Sequence, residues 1–313
     1  MPGADSTRTV AEIALRGAGG EPVDLRRSLR SHGLLELPPM RLDEERDALE
    51  LPLRAGGRPR MVRISPGRRG RARVEVLGPR PGPRRMAALL AEVRAVLRLD
   101  LDLSGFYALL DGDPLLSWAA SGAGRMIRSP TVFEDVVKTI CTTNCAWSAT
   151  RRMVSALVEH LGEPAVGVRP DGAWGRAFPT PEAMAERDER FYREVVRAGY
   201  RAGPLRGLAR AVAEGRLDLE AWGRARPEEL PDDELERRLL ALPGIGPYAA
   251  AHVMLLLGRT SRLILDSWSR PTYARLVGRR SLTDAQILRR FRRYGPYAGL
   301  AFWLVITRDW LDG

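Results

Sequence analysis

The sequence predicts an α+β chain, mainly helical, with a small antiparallel β unit at its N-terminus. Three observations carry this. Residues up to about 82 hold short, partly alternating segments separated by turn chemistry. From Arg84 onward the apolar residues recur at helical spacing. Between the two regions, Gly78-Pro-Arg-Pro-Gly-Pro83 reads as a stiff linker. The expected division is a β unit over residues 1–82 and an all-helical unit over 83–313.

The strands are expected at Thr9–Leu15, Ala48–Leu53, Met61–Ile64 and Ala72–Leu77, with Gly17-Ala-Gly-Gly-Glu21, Gly56-Gly57 and Pro66-Gly-Arg-Arg-Gly70 as the turns. In the helical part, Met86, Leu89, Leu90, Val93, Val96 and Leu97 share one helix face. A second helix starts near Thr131, where Thr131 and Glu134 have capping-box spacing, and runs through Phe133, Val136, Val137 and Ile140. Thr142-Thr-Asn144 interrupts it, and a further helix continues to about Leu161. Pro181–Ala198, Pro204–Glu214 and Asp232–Leu240 keep the helical pattern. No internal repeat is present.

Composition narrows the function. The chain has 313 residues, 44% hydrophobic and 28% charged, too apolar for a disordered chain. No run of about 18 apolar residues exists, and Asp5, Arg8 and Glu12 stand where a signal peptide needs an apolar core, so a cytoplasmic, nucleoid-associated protein is expected. Cys141 and Cys145 are the two cysteines, too few for a disulfide framework or a four-cysteine zinc or iron–sulfur site, and buried free thiols are their expected state. The net charge of +11 makes nucleic acid the first partner to test. One lysine, Lys138, stands beside 49 arginines, so an amine nucleophile can come from Lys138 or the chain terminus alone.

The most informative segment is Leu239-Leu-Ala-Leu-Pro-Gly-Ile-Gly-Pro-Tyr-Ala-Ala-Ala-His-Val253, part of a hairpin of helices at about 232–258. Gly244 and Gly246 permit a tight turn and close approach of another backbone. Pro247 suits the first helical position, where its missing N–H costs nothing. The amides of Gly244, Ile245 and Gly246 and the following helix N-terminus then form an anion site fit for one DNA phosphate. Twenty residues past Gly246, Asp266 ends the run Leu263-Ile-Leu and precedes Ser267-Trp-Ser-Arg270. That position suits a helix N-cap, and equally a carboxylate kept for chemistry, since a helix N-terminus favours negative charge.

Hairpin and aspartate together resemble the helix-hairpin-helix DNA glycosylase superfamily. The resemblance covers about residues 83–313 and extends more weakly to the N-terminal sheet. Ile140-Cys-Thr-Thr-Asn144, Ala198-Gly-Tyr-Arg-Ala202 and Tyr297-Ala-Gly-Leu-Ala-Phe-Trp303 are similar to segments of the 8-oxoguanine glycosylase branch. Residues 178–266, including Phe178-Pro-Thr-Pro-Glu182, are about as close to the bacterial 3-methyladenine glycosylase II branch.

The resemblance implies excision of a damaged base flipped out of double-stranded DNA. It makes Asp266 the catalytic carboxylate, Asn144 the side chain that fills the gap, and Tyr200 the wedge against the opposite strand. It places Arg201 with the hairpin residues on phosphate. Tyr248, His252, Trp268 and Phe302 fall to the base pocket. Branches with lyase activity carry a lysine two residues after the second hairpin glycine; here Tyr248 stands there. A terminal amine at Pro2, were Met1 removed, finds no support in this fold. The implied enzyme is monofunctional, with water as the nucleophile. Phe302 stands where 8-oxoguanine enzymes carry a glutamine reading the base edge, and Ala149 near an arginine they use on the orphan cytosine. Tyr248, where the alkylation branch places an aromatic, and Phe302 favour an alkylated purine such as 3-methyladenine over an oxidised one, while Ala149 argues against strict pairing with cytosine. The alternatives are an 8-oxoguanine-type glycosylase of the same fold and a non-catalytic helix-hairpin-helix DNA-binding protein.

No cofactor, metal or iron–sulfur cluster is called for, though a monovalent or divalent cation at the hairpin is compatible with bound DNA. A monomer suffices, and no membrane partner is expected. Lys138 reads as solvated or touching phosphate. Arg125 and Arg128 precede a helix start and read as phosphate-contacting or solvated. Trp147 and Trp303 read as core, and His32 and His160 as structural or surface residues.

Overall fold

The computed structural model describes residues 8–311. Strand β1 (Arg8–Ala14) is followed by a one-turn helix α1 (Leu25–Leu29) and by β2 (Arg41–Asp43), β3 (Ala48–Leu53), β4 (Arg60–Pro66) and β5 (Arg71–Leu77). The strands form one antiparallel sheet in the order β1-β5-β4-β3-β2. β2 has three residues, too few to show an alternation, which is why the sequence does not reveal it.

Helices then follow without interruption by strands: α2 (Pro83–Val96), α3 (Ser104–Leu109), α4 (Val132–Thr142), α5 (Trp147–Leu161), α6 (Pro181–Ala185) and α7 (Ala202–Ala213). The second half holds α8 (Leu219–Arg224), α9 (Asp232–Leu240), α10 (Pro247–Leu256), α11 (Ser269–Leu276), α12 (Asp284–Phe291) and α13 (Ala298–Thr307). None is long and apolar enough to cross a membrane. Thr131 caps α4 by accepting from the Glu134 amide at 3.2 Å. Pro83 occupies the first turn of α2 and Pro247 that of α10, where neither leaves an intrahelical bond unmade.

The expected helix over Pro181–Ala198 is broken. α6 stops at Ala185, and the chain re-forms as one wide turn over Phe191–Val195. The Asp188 carboxylate accepts from the Phe191 amide at 2.9 Å, diverting that amide from a continuous helix. Arg197, with φ 57°, then ends the segment.

The change in secondary structure falls near residue 82, but the apolar core does not stop there. Leu89, Val93, Val96 and Leu97 of α2, with Ile127, pack in one cluster with Leu49, Leu51, Val62, Val74 and Val76 of the sheet. A larger cluster fills the space between the later helices.

Two basic residues depart from expectation. Lys138 is fully buried, paired with Glu134 at 2.6 Å, rather than solvated or on phosphate. α4 is buried along most of its length, so its one lysine must find an internal partner. Arg125 is likewise buried. It donates to the carbonyl oxygens of Arg98 and Leu101 and pairs with Glu21, closing the loop before α4 onto the N-terminal region. Arg128 donates to the Ala95 carbonyl at 3.4 Å.

Candidate functional site

α9 and α10 form the expected helical hairpin. Its turn is tied by Leu242 and Ile245, whose amides donate to the carbonyls of Leu239 and Leu242. Gly244 has φ +88°, and a Cβ there would lie 3.1 Å from Pro204 and 3.4 Å from Ile140. Gly246 is open: a Cβ there would meet nothing within 4 Å. The amides of Gly244 and Gly246 donate to no described residue, so they remain available to an anion. Ile245 differs from the sequence expectation. Its amide is committed to Leu242 and its side chain is buried, so it anchors the turn.

The chain after α10 leads to Asp266 at the N-terminus of α11. Asp266 and Ser269 cap each other. The Asp266 amide donates to Ser269 Oγ at 2.8 Å, and Asp266 Oδ1 accepts from the amides of Trp268 and Ser269 at 2.9 and 2.6 Å. This fixes the carboxylate through one oxygen. Oδ2 accepts from no described residue.

Asp266 lines a cleft of about 920 Å³. Tyr248 and His252, one turn apart on α10, share its wall with Trp268. Burial, with the nearby charge of Asp266 adding to it, holds the Tyr248 phenol above its usual range. His252 is pushed down to about 3, chiefly by burial, and its Nδ1 has no partner. Phe302 is not in the cleft. It is fully buried, 5.7 Å from the ring of Tyr273 and 5.2 Å from that of Phe291. α13 is apolar on every side and turns Trp303 toward the cleft instead.

Sequence reasoning missed several wall residues. Trp147, read as core, is 39% exposed at the start of α5 and lines the cleft. Trp303 is core and wall at once, with its indole N–H donating to the Ser31 carbonyl at 2.7 Å. Trp310 joins Trp268 and Trp303 in a cluster with ring centres 5.8 to 6.0 Å apart. His32 packs edge-on against His252 at 5.9 Å and gives Nε2 to the Ile127 carbonyl. No linear spacing signals that pairing. His160 is exposed, edge-on to Phe191. Cys141 and Cys145 are free, and Cys145 lies on the cleft.

At the rim, Asn144 takes φ 47° in the break between α4 and α5, and its side-chain amide donates to the Tyr200 hydroxyl at 3.4 Å. Asn tolerates that backbone better than most residues. Both side chains are exposed. Arg201 is not a free phosphate ligand. It is buried, its guanidinium lies 4.4 Å over the Tyr200 ring, and its donors go to the carbonyls of Thr143 and Ala198 and to Thr143 Oγ1. It braces Tyr200 against the loop carrying Asn144. The terminal amine at Pro2 lies outside the described residues.

A helical hairpin with two free glycine amides, next to an aromatic cleft holding a half-committed carboxylate, defines the class of helix-hairpin-helix DNA glycosylase folds. A 3-methyladenine DNA-glycosylase from Archaeoglobus fulgidus superposes with a TM-score of 0.73 at 21% identity, over 97% of this chain and 99% of that one. The apo form of an 8-oxoguanine glycosylase/lyase from Clostridium acetobutylicum gives 0.62 at 19% identity, over 90% and 94%. In sequence, 118 residues are 30% identical to a Bacillus subtilis protein, YfjP, named as a candidate DNA-3-methyladenine glycosylase; the match covers 36% of this chain and 34% of that protein. The chain has the fold of the helix-hairpin-helix DNA glycosylase superfamily, and curated relatives are named as DNA-3-methyladenine glycosylases. It spans between 30% and 50% of the length of those relatives. No family model matches it.

Proposed function

We propose that the chain is a monofunctional DNA glycosylase, acting as a monomer on cytoplasmic, nucleoid DNA. It hydrolyses the N-glycosidic bond of a flipped-out alkylated purine such as 3-methyladenine. The observation that carries the reading is Asp266, fixed by one oxygen and free at the other, in a cleft walled by aromatic rings.

Bond cleavage moves the glycosidic electron pair onto the base and leaves positive charge on the deoxyribose. Asp266 Oδ2 opposes that charge and orients the attacking water, whose proton is lost as its oxygen joins the sugar. A base alkylated to a cation leaves readily, and it gains from stacking on Tyr248, Trp268 and the other indoles, about 2 kcal/mol for a desolvated cation–π contact. Phe302, being fully buried among Tyr273 and Phe291, takes no part in this stacking. Asn144 and Tyr200, braced by Arg201, are the side chains presented to the duplex where a base is lost. The amides of Gly244 and Gly246 take the phosphate.

Two described residues support water as the nucleophile. Tyr248 occupies the hairpin position where a lyase carries lysine, and Lys138 is buried in its pair with Glu134.

The test is excision from duplexes bearing one defined lesion each: an alkylpurine, hypoxanthine, 8-oxoguanine or uracil. Wild type is expected to release the alkylpurine, to break strands only after alkali and to give no borohydride-trapped adduct. Asp266→Asn should lose on the order of 100-fold or more in single-turnover rate. Release of 8-oxoguanine instead defeats the substrate assignment. Tight DNA binding with no release of any base defeats the enzyme.

A further inference from the structure

α11 leads away from Asp266, and its far end opens on a feature the cleft does not use. Six arginines fall between residues 275 and 292: Arg275, Arg279, Arg280, Arg289, Arg290 and Arg292. All six are exposed, and none makes an ion pair with any described acid. The sole carboxylate in that stretch, Asp284, is taken by Arg270 through a two-pronged contact of 2.6 and 2.9 Å. Elsewhere on this arginine-rich surface many guanidiniums are paired, as in the Arg237–Glu234, Arg193–Glu189 and Arg226–Glu229 bridges.

The unpaired arginines are held on a built frame. Gly278 at φ +66° ends α11, and Thr283 with Gln286 forms a reciprocal capping box that starts α12. Between these ends lies a groove of about 270 Å³, with Arg279, Arg289 and Arg290 on its walls and no acid among its lining residues. Gln286 accepts from the Thr283 amide through Oε1, which leaves its NH₂ group as a donor toward the groove. Ser281 adds a hydroxyl. The donor set is therefore guanidinium, amide and hydroxyl. It suits the phosphate oxygens of a nucleic acid backbone, which arginine grips in a bidentate way.

The groove lies at the other end of the helix that Asp266 starts. α11 has eight residues, so its far end lies about 12 Å along the helix from Asp266, within the span of a bound duplex. We propose that the α11–α12 groove is a second DNA-backbone contact. It grips phosphates of the duplex flanking the flipped nucleotide and adds affinity that does not depend on the lesion. The proposal rests on the glycosylase reading for the presence of DNA, and its test separates the two.

The experiment compares wild type with the triple variant Arg279→Ala, Arg289→Ala, Arg290→Ala. A control triple removes the same formal charge at Arg69, Arg80 and Arg84, which are exposed and unpaired on and near the N-terminal sheet. Kd for an undamaged duplex of about 30 base pairs is measured against salt concentration, where each phosphate contact contributes about 0.9 to the logarithmic slope. The groove variant is expected to lose about 2 to 3 from that slope, with the control nearly unchanged and single-turnover excision at saturating enzyme intact. An unchanged slope in the groove variant, or an equal loss in the control, overturns the proposal while leaving the glycosylase reading in place. Failure of wild type to bind the duplex sinks both together.

Discussion

Three buried ionisable side chains, His32 and His252 by the cleft and Asp135 in the first turn of α4, set how the protein should respond to acid. Burial pushes His32 down to about 4 and His252 down to about 3, against an ordinary value of 6.5. Both are neutral in the fold at neutral pH. The unfolded chain takes up their protons first, so the stability that neutral burial confers is present above 6.5 and is lost as pH falls toward 4 and 3. Each contribution is on the order of 3 kcal/mol. Asp135 works the other way. Burial pushes its carboxyl up to about 6, so it favours the fold below its unfolded value of 3.8 and loses that contribution as pH rises through 6. Between pH 4 and 6.5 two histidines oppose one aspartate, so acidification is a net loss. Melting temperature is therefore expected to drop from pH 7 to pH 4.5. His252→Phe, which keeps the ring and removes a titration, should make the drop shallower. An identical pH profile for variant and wild type contradicts the buried neutral histidine.

The hairpin separates two roles that glycine plays at the level of an element. Gly244 is needed for the fold: its φ of +88° and the contacts a Cβ would make with Pro204 and Ile140 both penalise a side chain. Gly246 has φ −104°, open to any residue, and faces empty space. Gly244→Ala is expected to cost about 1–3 kcal/mol in denaturant unfolding. Gly246→Ala should stay within about 0.5 kcal/mol of wild type yet weaken duplex binding several-fold, because its methyl group stands where a phosphate approaches. Equal binding by Gly246→Ala and wild type removes the hairpin from the DNA contact. Such elements were also the ones legible in the sequence. The hairpin, its proline and Asp266 lie in one local stretch whose chemistry is written in residue type. Over 181–198 one aspartate side chain outcompetes a good helical pattern, which the periodicity does not reveal. The partners of Arg201, the carbonyl and hydroxyl of Thr143, come from a distant loop that no local spacing reveals. Phe302 and Trp303 are neighbours on a uniformly apolar helix, where periodicity gives no face and only packing decides which ring sees the cleft.

At the scale of the whole molecule, the question is what the sheet is for, since every side chain proposed for chemistry lies beyond residue 140. The answer lies in the cross-links that the helical part makes back to the first 82 residues. The Arg125 guanidinium closes on Glu21, the Trp303 indole donates to Ser31, and Ile127 receives His32. The apolar face of α2 is spent on the sheet. His32, wedged against His252, backs the cleft wall directly. Removing the first 82 residues would uncover that face and leave Arg125 buried without its carboxylate, a loss of about 3–5 kcal/mol for a broken buried pair alone. That is comparable to much of the stability of an ordinary domain, about 5–15 kcal/mol. The two regions should therefore unfold together, although their secondary structures differ. Calorimetry of the full chain is expected to show one transition whose calorimetric and van't Hoff enthalpies agree. A fragment beginning at Pro83 should bind a hydrophobic dye and aggregate rather than melt cooperatively. Two resolved transitions in the full chain, or a cooperative melt of the fragment, would instead make the sheet an appended unit and leave the cleft wall to hold its shape without His32.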